Sequence, residues 1–122
     1  MNGKSLMLIR TAIASVSVVA VAAFGISAQA APVTTTMIKV TTFNSSYHLS
    51  AKTAPRGVVI FEVTNKAVFG HDFSINGQTT KVIKPGQSAT LRVTFLKPGH
   101  YVYKDTLDHH VRWGDIGGFT IT

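Results

Sequence analysis

The chain has 122 residues, a formal net charge of +7 and no cysteine. That length allows one small domain, and the missing cysteines exclude disulfides, thiolate ligands and thiol nucleophiles. The bases are spread almost evenly rather than clustered or interleaved with stacking aromatics. This argues against nucleic-acid binding and makes an acidic partner or anionic lipid the contact that a diffuse positive surface favours.

Lys4 and Arg10 precede an uncharged run from Thr11 to Phe24 and a small-residue Ala28-Gln-Ala30 site. That order reads as a signal peptide over residues 1–30, cleaved to leave a periplasmic or secreted domain over 31–122. The run is short for a bilayer span, so no stable membrane span is expected after cleavage. A retained N-terminal anchor is the alternative. Cleavage lowers the net charge to about +5.

Along the remaining chain, short alternating runs are separated by turn residues, with no helix-period stretch. The expected strands are Met37–Phe43, Tyr47–Ser50, Val58–Thr64, Asp72–Asn76 and Thr79–Ile83 on either side of a Gly77 turn, Ala89–Phe95, Tyr101–Tyr103 and Phe119–Ile121. The β-branched density of Val58–Thr64 predicts a central position. Seven or eight strands in so short a domain predict an all-β Greek-key sandwich. Met37 is expected in its core, and His48 and His100 on its surface.

The chemistry concentrates between the last two strands, where Asp105, Asp108, His109, His110 and Asp115 lie. A further carboxylate, Asp72, follows His71 directly. Carboxylates gathered beside imidazoles in a basic protein have the composition of a metal site. No serine–histidine–acid elbow and no glycine-rich phosphate cradle is present, and the domain has little room for a substrate pocket. The expectation is a binding protein, not an enzyme.

Phe61-Glu-Val-Thr-Asn65, His71-Asp-Phe-Ser-Ile75, Ile83-Lys-Pro-Gly86, Pro98-Gly-His-Tyr-Val-Tyr103 and Gly114-Asp-Ile-Gly117 follow one another in an order that resembles the cupredoxins. The resemblance covers Val59–Thr122. It implies that His71 is the family's first histidine ligand. Set on Tyr101–Tyr103 and Gly114–Gly117, the closing loop places Asp105 at the family's cysteine position, His110 at its histidine and Asp115 at its methionine. His109 competes with His110 for the same role. The implied site is His71, Asp105, His110 and Asp115.

Replacing both sulfurs by carboxylates removes what a blue copper centre needs. Imidazole with hard oxygen suits a divalent transition metal, Cu(II) above all, with Zn(II) possible. The expected role is a carrier, buffer or delivery module, the partner being the metal ion and the protein a monomer. A protein partner could dock at the loop end near Trp113 and Arg112. If the site is vestigial, that docking is the function. Asp72 and Asp108 are expected to stand behind the ligands or in solvent, where either could orient an imidazole through its other ring nitrogen.

Overall fold

The computed structural model describes residues 33–107 and 115–122. Nine strands lie among them: β1 (Thr35–Phe43), β2 (Ser46–Leu49), β3 (Thr53–Ala54), β4 (Gly57–Asn65), β5 (Ser74–Ile75), β6 (Gln78–Thr79), β7 (Ser88–Phe95), β8 (Gly99–Lys104) and β9 (Ile116–Ile121). They form two sheets, β2-β1-β4-β7 and β3-β9-β8-β5-β6. The result is the expected all-β sandwich, with one more strand than the sequence suggested.

The long strands form where β-branched residues alternate. In β4, Val59, Phe61 and Val63 point inward, and the strand is flanked on both sides, parallel to β1 and antiparallel to β7. Phe61 is fully buried against Phe73, Phe95 and Phe119, with ring centroids 5.1, 6.4 and 5.4 Å away. Burying such a ring contributes about 1.5–3 kcal/mol. Ile38 and Val40 of β1 and Leu91 and Val93 of β7 complete one wall, while Tyr103, Phe119 and Ile121 supply the other. Val33–Thr122 is a compact unit that contains this whole core, so the stretch has what independent folding requires.

Several expectations are corrected. Met37 lies on the outer face of β1, 54% exposed, because the inward positions of that strand are Ile38, Val40 and Thr42. The strand expected over Thr79–Ile83 ends at Thr79. Beyond it, Thr80 turns back on Phe73, donating its N–H to the Phe73 carbonyl (3.0 Å) and accepting the Phe73 N–H at its hydroxyl (3.0 Å). The Ile75–Gln78 hairpin turns through Asn76 and Gly77, both at positive φ (51° and 76°), the conformation that favours Asn-Gly in a two-residue turn. β9 begins at Ile116 rather than Phe119. Its Gly117 lies beneath the Tyr103 ring, and a Cβ there would run into the phenol. Among the described residues no helix is long and apolar enough to cross a membrane.

Candidate metal centre

Three of the four site residues come together at one end of the sandwich. His71, Asp105 and Asp115 are all buried, and one ligand atom from each lies within 4.8 Å of the others. His71 Nδ1 is 2.6 Å from Asp105 Oδ2 and 3.5 Å from Asp115 Oδ2. His110, the fourth, falls outside the described residues, as do Asp108, His109, Arg112 and Trp113.

Each side chain is placed by its strand. Asp105 directly follows β8 and Asp115 directly precedes β9, and the Asp105 N–H donates to the Asp115 carbonyl at 3.0 Å. The loop between them is thus closed at its base, with both carboxylates on the same side as His71. Asp105 Oδ1 accepts the Leu107 N–H at 2.8 Å, a local turn bond of the kind aspartate favours after a strand. It leaves Oδ2 directed at the imidazole.

His71 is held by main-chain bonds to Ile83: its N–H donates to the Ile83 carbonyl (3.2 Å), and its own carbonyl accepts the Ile83 N–H (2.6 Å). Asn65, fully buried at the end of β4, locks this bridge. Its amide donates to the carbonyls of Ile83 (2.7 Å) and Phe69 (3.0 Å), and its oxygen accepts from the Ala67 N–H (2.7 Å) and the Thr42 hydroxyl (3.4 Å). With all these capacities met, burial of the amide is tolerated. Nothing in the periodicity of the sequence marked Asn65, which sits at an ordinary inward position of its strand. The imidazole lies between two aromatic rings, Phe69 at 5.2 Å and Tyr47 at 6.5 Å. These rings shield the centre from water.

Asp72 is not solvated but stands behind a ligand residue, one of the two places expected for it. Its carboxylate is buried and binds Thr106, accepting the Thr106 N–H at 2.7 Å on Oδ1 and the Thr106 hydroxyl on Oδ2. His71–Asp105 and Asp72–Thr106 are therefore two adjacent cross-links between the same two segments. The Tyr47 hydroxyl donates to the Asp72 carbonyl and reinforces the join.

Burial pushes the Asp72 carboxyl above its ordinary value of 3.8, against the lowering effect of the two Thr106 bonds, with the Asp105 charge adding to the rise. Burial, then the charges of Asp105, Asp115 and Asp72, push the Tyr47 phenol well above the usual range. Burial alone raises Tyr103. Because folded Asp72 keeps its proton to higher pH than the unfolded chain, its contribution to stability is full below the unfolded value. That contribution is lost as pH rises through the raised folded value.

Two variants separate the parts of this join. Asp72→Asn keeps an acceptor for the Thr106 N–H and cannot ionise, so it is expected to melt near the wild type at acid pH and to lack the share of stability that Asp72 loses as pH rises. Asp72→Ala removes both bonds to Thr106 and, at about 0.5–1.5 kcal/mol for each, is expected to cost about 1–3 kcal/mol, read by denaturant unfolding.

The family model for the cupredoxin-like domain matches residues 15–116. The chain belongs to the cupredoxin-like domain family. No curated protein shows significant similarity to it. Among solved structures, this cupredoxin-like chain is similar to sodium-dithionite-reduced auracyanin from Roseiflexus castenholzii, at 20% identity over 71% of this chain and 97% of that one, with a TM-score of 0.64. It is also similar to auracyanin A of Chloroflexus aurantiacus, described as a "blue" copper protein, at 10% identity over 73% and 100% of the two chains, with a TM-score of 0.60. A third is the copper nitrite reductase of Nitrosomonas europaea, at 16% identity over 72% of this chain and 41% of that one, with a TM-score of 0.58. At such identities the likeness concerns the fold, and the chemistry has to come from the residues present.

The residues of this cupredoxin-like centre fit a divalent ion. Two carboxylates and a neutral imidazole carry a charge of −2, which a divalent cation neutralises, and the donors are of the hard or borderline type that Cu(II) and Zn(II) accept. The chain has no cysteine to supply a thiolate.

Proposed function

We propose that the chain is an exported, signal-cleaved binding protein of the cupredoxin-like family, without enzymatic activity. It holds a divalent transition metal, Cu(II) foremost and Zn(II) second, in a thiolate-free site of His71, Asp105, Asp115 and His110, as a carrier, buffer or delivery module. The observation that carries this reading is the buried convergence of His71, Asp105 and Asp115 within 4.8 Å in a fold shared with copper proteins. His71 contributes an imidazole nitrogen, which must be unprotonated to coordinate, while Asp105 and Asp115 contribute anionic oxygen. Asp72 and Thr106 keep Asp105 facing His71. Such a donor set stabilises the divalent state and gives Cu(I) little support, so the role is holding the metal rather than passing electrons.

The test is the difference in melting temperature with and without metal. At a hundredfold excess over the dissociation constant, binding stabilises the folded state by about 2.7 kcal/mol, on the order of ten degrees for a domain of this size. His71→Ala and His110→Ala are each expected to remove most of that increment, and His109→Ala to leave it largely intact. Reversal of the two neighbouring histidines would shift the loop assignment by one residue.

A second reading rests on the 2.6 Å contact between His71 Nδ1 and Asp105 Oδ2. A proton shared there can tie the two segments together by itself, making the centre a structural remnant and the loop end near Trp113 a docking surface for a protein partner. Neither Cu(II) nor Zn(II) would then raise the melting temperature.

A further inference from the structure

Among the described residues, burial of the site carboxylates leaves the outside of the domain predominantly positive. Asp72, Asp105 and Asp115 are interior, and Glu62 is the one exposed carboxylate side chain among the described residues, 4.0 Å from Lys39. Every lysine and arginine among those residues is exposed.

At the end of the sandwich opposite His71, bases meet exposed apolar groups. There β1 and β4 begin and β7 ends: the Thr34 carbonyl accepts the Val58 N–H at 2.8 Å, and Gly57 pairs with Phe95. This junction gathers Val33 (69% exposed) and Leu96 (80%) beside Arg56 and Lys97. Lys52 is close by, since its carbonyl accepts the Thr120 N–H (2.9 Å) while the Arg56 N–H donates to the Thr122 carbonyl (3.2 Å). No aspartate or glutamate of the described residues lies at this end.

It is also the end at which the chain enters the domain, a few residues after the uncharged run Thr11–Phe24. Cleavage after Ala30 would add an ammonium group two residues before Val33. Retention would tether the same end to a bilayer through that run. We infer that this end docks on an anionic lipid surface, with Lys52, Arg56 and Lys97 against the headgroups and Leu96 and Val33 at the acyl boundary. The eight residues of β7, at about 3.4 Å each, then hold the His71 end roughly 25 Å away, facing the aqueous side. This inference does not depend on the metal reading.

The test is sedimentation of residues 31–122 with vesicles of phosphatidylcholine alone or containing one-third phosphatidylglycerol, at low ionic strength. Binding is expected only to the anionic vesicles and is expected to weaken as salt is added. Lys52→Glu with Lys97→Glu is expected to lower the partition coefficient on the order of tenfold or more, and Leu96→Ser severalfold, with melting temperatures unchanged. The opposite end supplies the control, because Lys66 and Lys84 are also exposed there beside Val68. Reversing those two charges is expected to leave binding within about twofold, the small residual effect expected of net charge alone. Equal binding to both vesicle types overturns the inference, as does loss of binding in the Lys66/Lys84 variant alone. Tight binding of soluble polyglutamate, insensitive to Leu96→Ser, overturns it in favour of an acidic protein partner.

Discussion

Asp105→Cys is expected to turn the copper-loaded protein from faintly to intensely coloured. The native chain has no cysteine, so bound Cu(II) can show only weak d–d absorption. A thiolate at position 105 would lie one bond short of Asp105 Oδ2, which now faces His71 Nδ1 at 2.6 Å, and sulfur-to-copper charge transfer would follow once the metal is shared between the two. The change is close to volume-neutral and leaves both Asp72 bonds to Thr106 in place. Optical and paramagnetic resonance spectra of the Cu(II) form provide the check. Copper bound without a new intense band would remove Asp105 from the ligand set while leaving the fold assignment intact.

What the sequence made legible follows from the range of the interactions involved. The strands β1, β4 and β7 were readable because alternation and β-branching are local properties. So was the gathering of imidazole and carboxylate, since Asp105 and Asp115 close the ends of one loop. β3 was missed because its two residues, Thr53 and Ala54, precede Pro55 and are ordered only by pairing with Thr120 and Ile121. The break after Thr79 depends on Thr80 binding back to Phe73, which alternation does not encode. The particular partner of Asp72 is hidden for the same reason: Thr106 lies 34 residues away, and only the paired segments reveal that the carboxylate is shared with a loop rather than with water. Asn65 likewise looks like one more inward strand residue until its amide is seen holding the His71–Ile83 bridge. The polar residues that position the centre act across the fold, whereas those that form it carry a chemical signature of their own.

Metal affinity is expected to fall by roughly a hundredfold for each pH unit in the acid range where the ligand imidazoles take up protons. An imidazole must be neutral to coordinate, so each one competes with a proton and contributes about a tenfold loss per unit. Two coordinating imidazoles, His71 and His110, give the square of that factor. The sign is fixed by this competition: acid releases the metal, and binding at constant pH releases protons. Of the described residues, His71 alone contributes an imidazole to the group, so the slope reports on what the loop beyond Leu107 supplies. Competition titrations with a chelator at a series of pH values measure it, and calorimetry in buffers of different ionisation heat counts the protons independently. His110→Ala should reduce the slope to about tenfold per unit with metal still bound weakly through His71, Asp105 and Asp115. A wild-type slope of one proton that His110→Ala leaves unchanged would mean that no second imidazole binds. The centre would then be carboxylate-dominated, with His71 its one imidazole, and would retain its metal to lower pH.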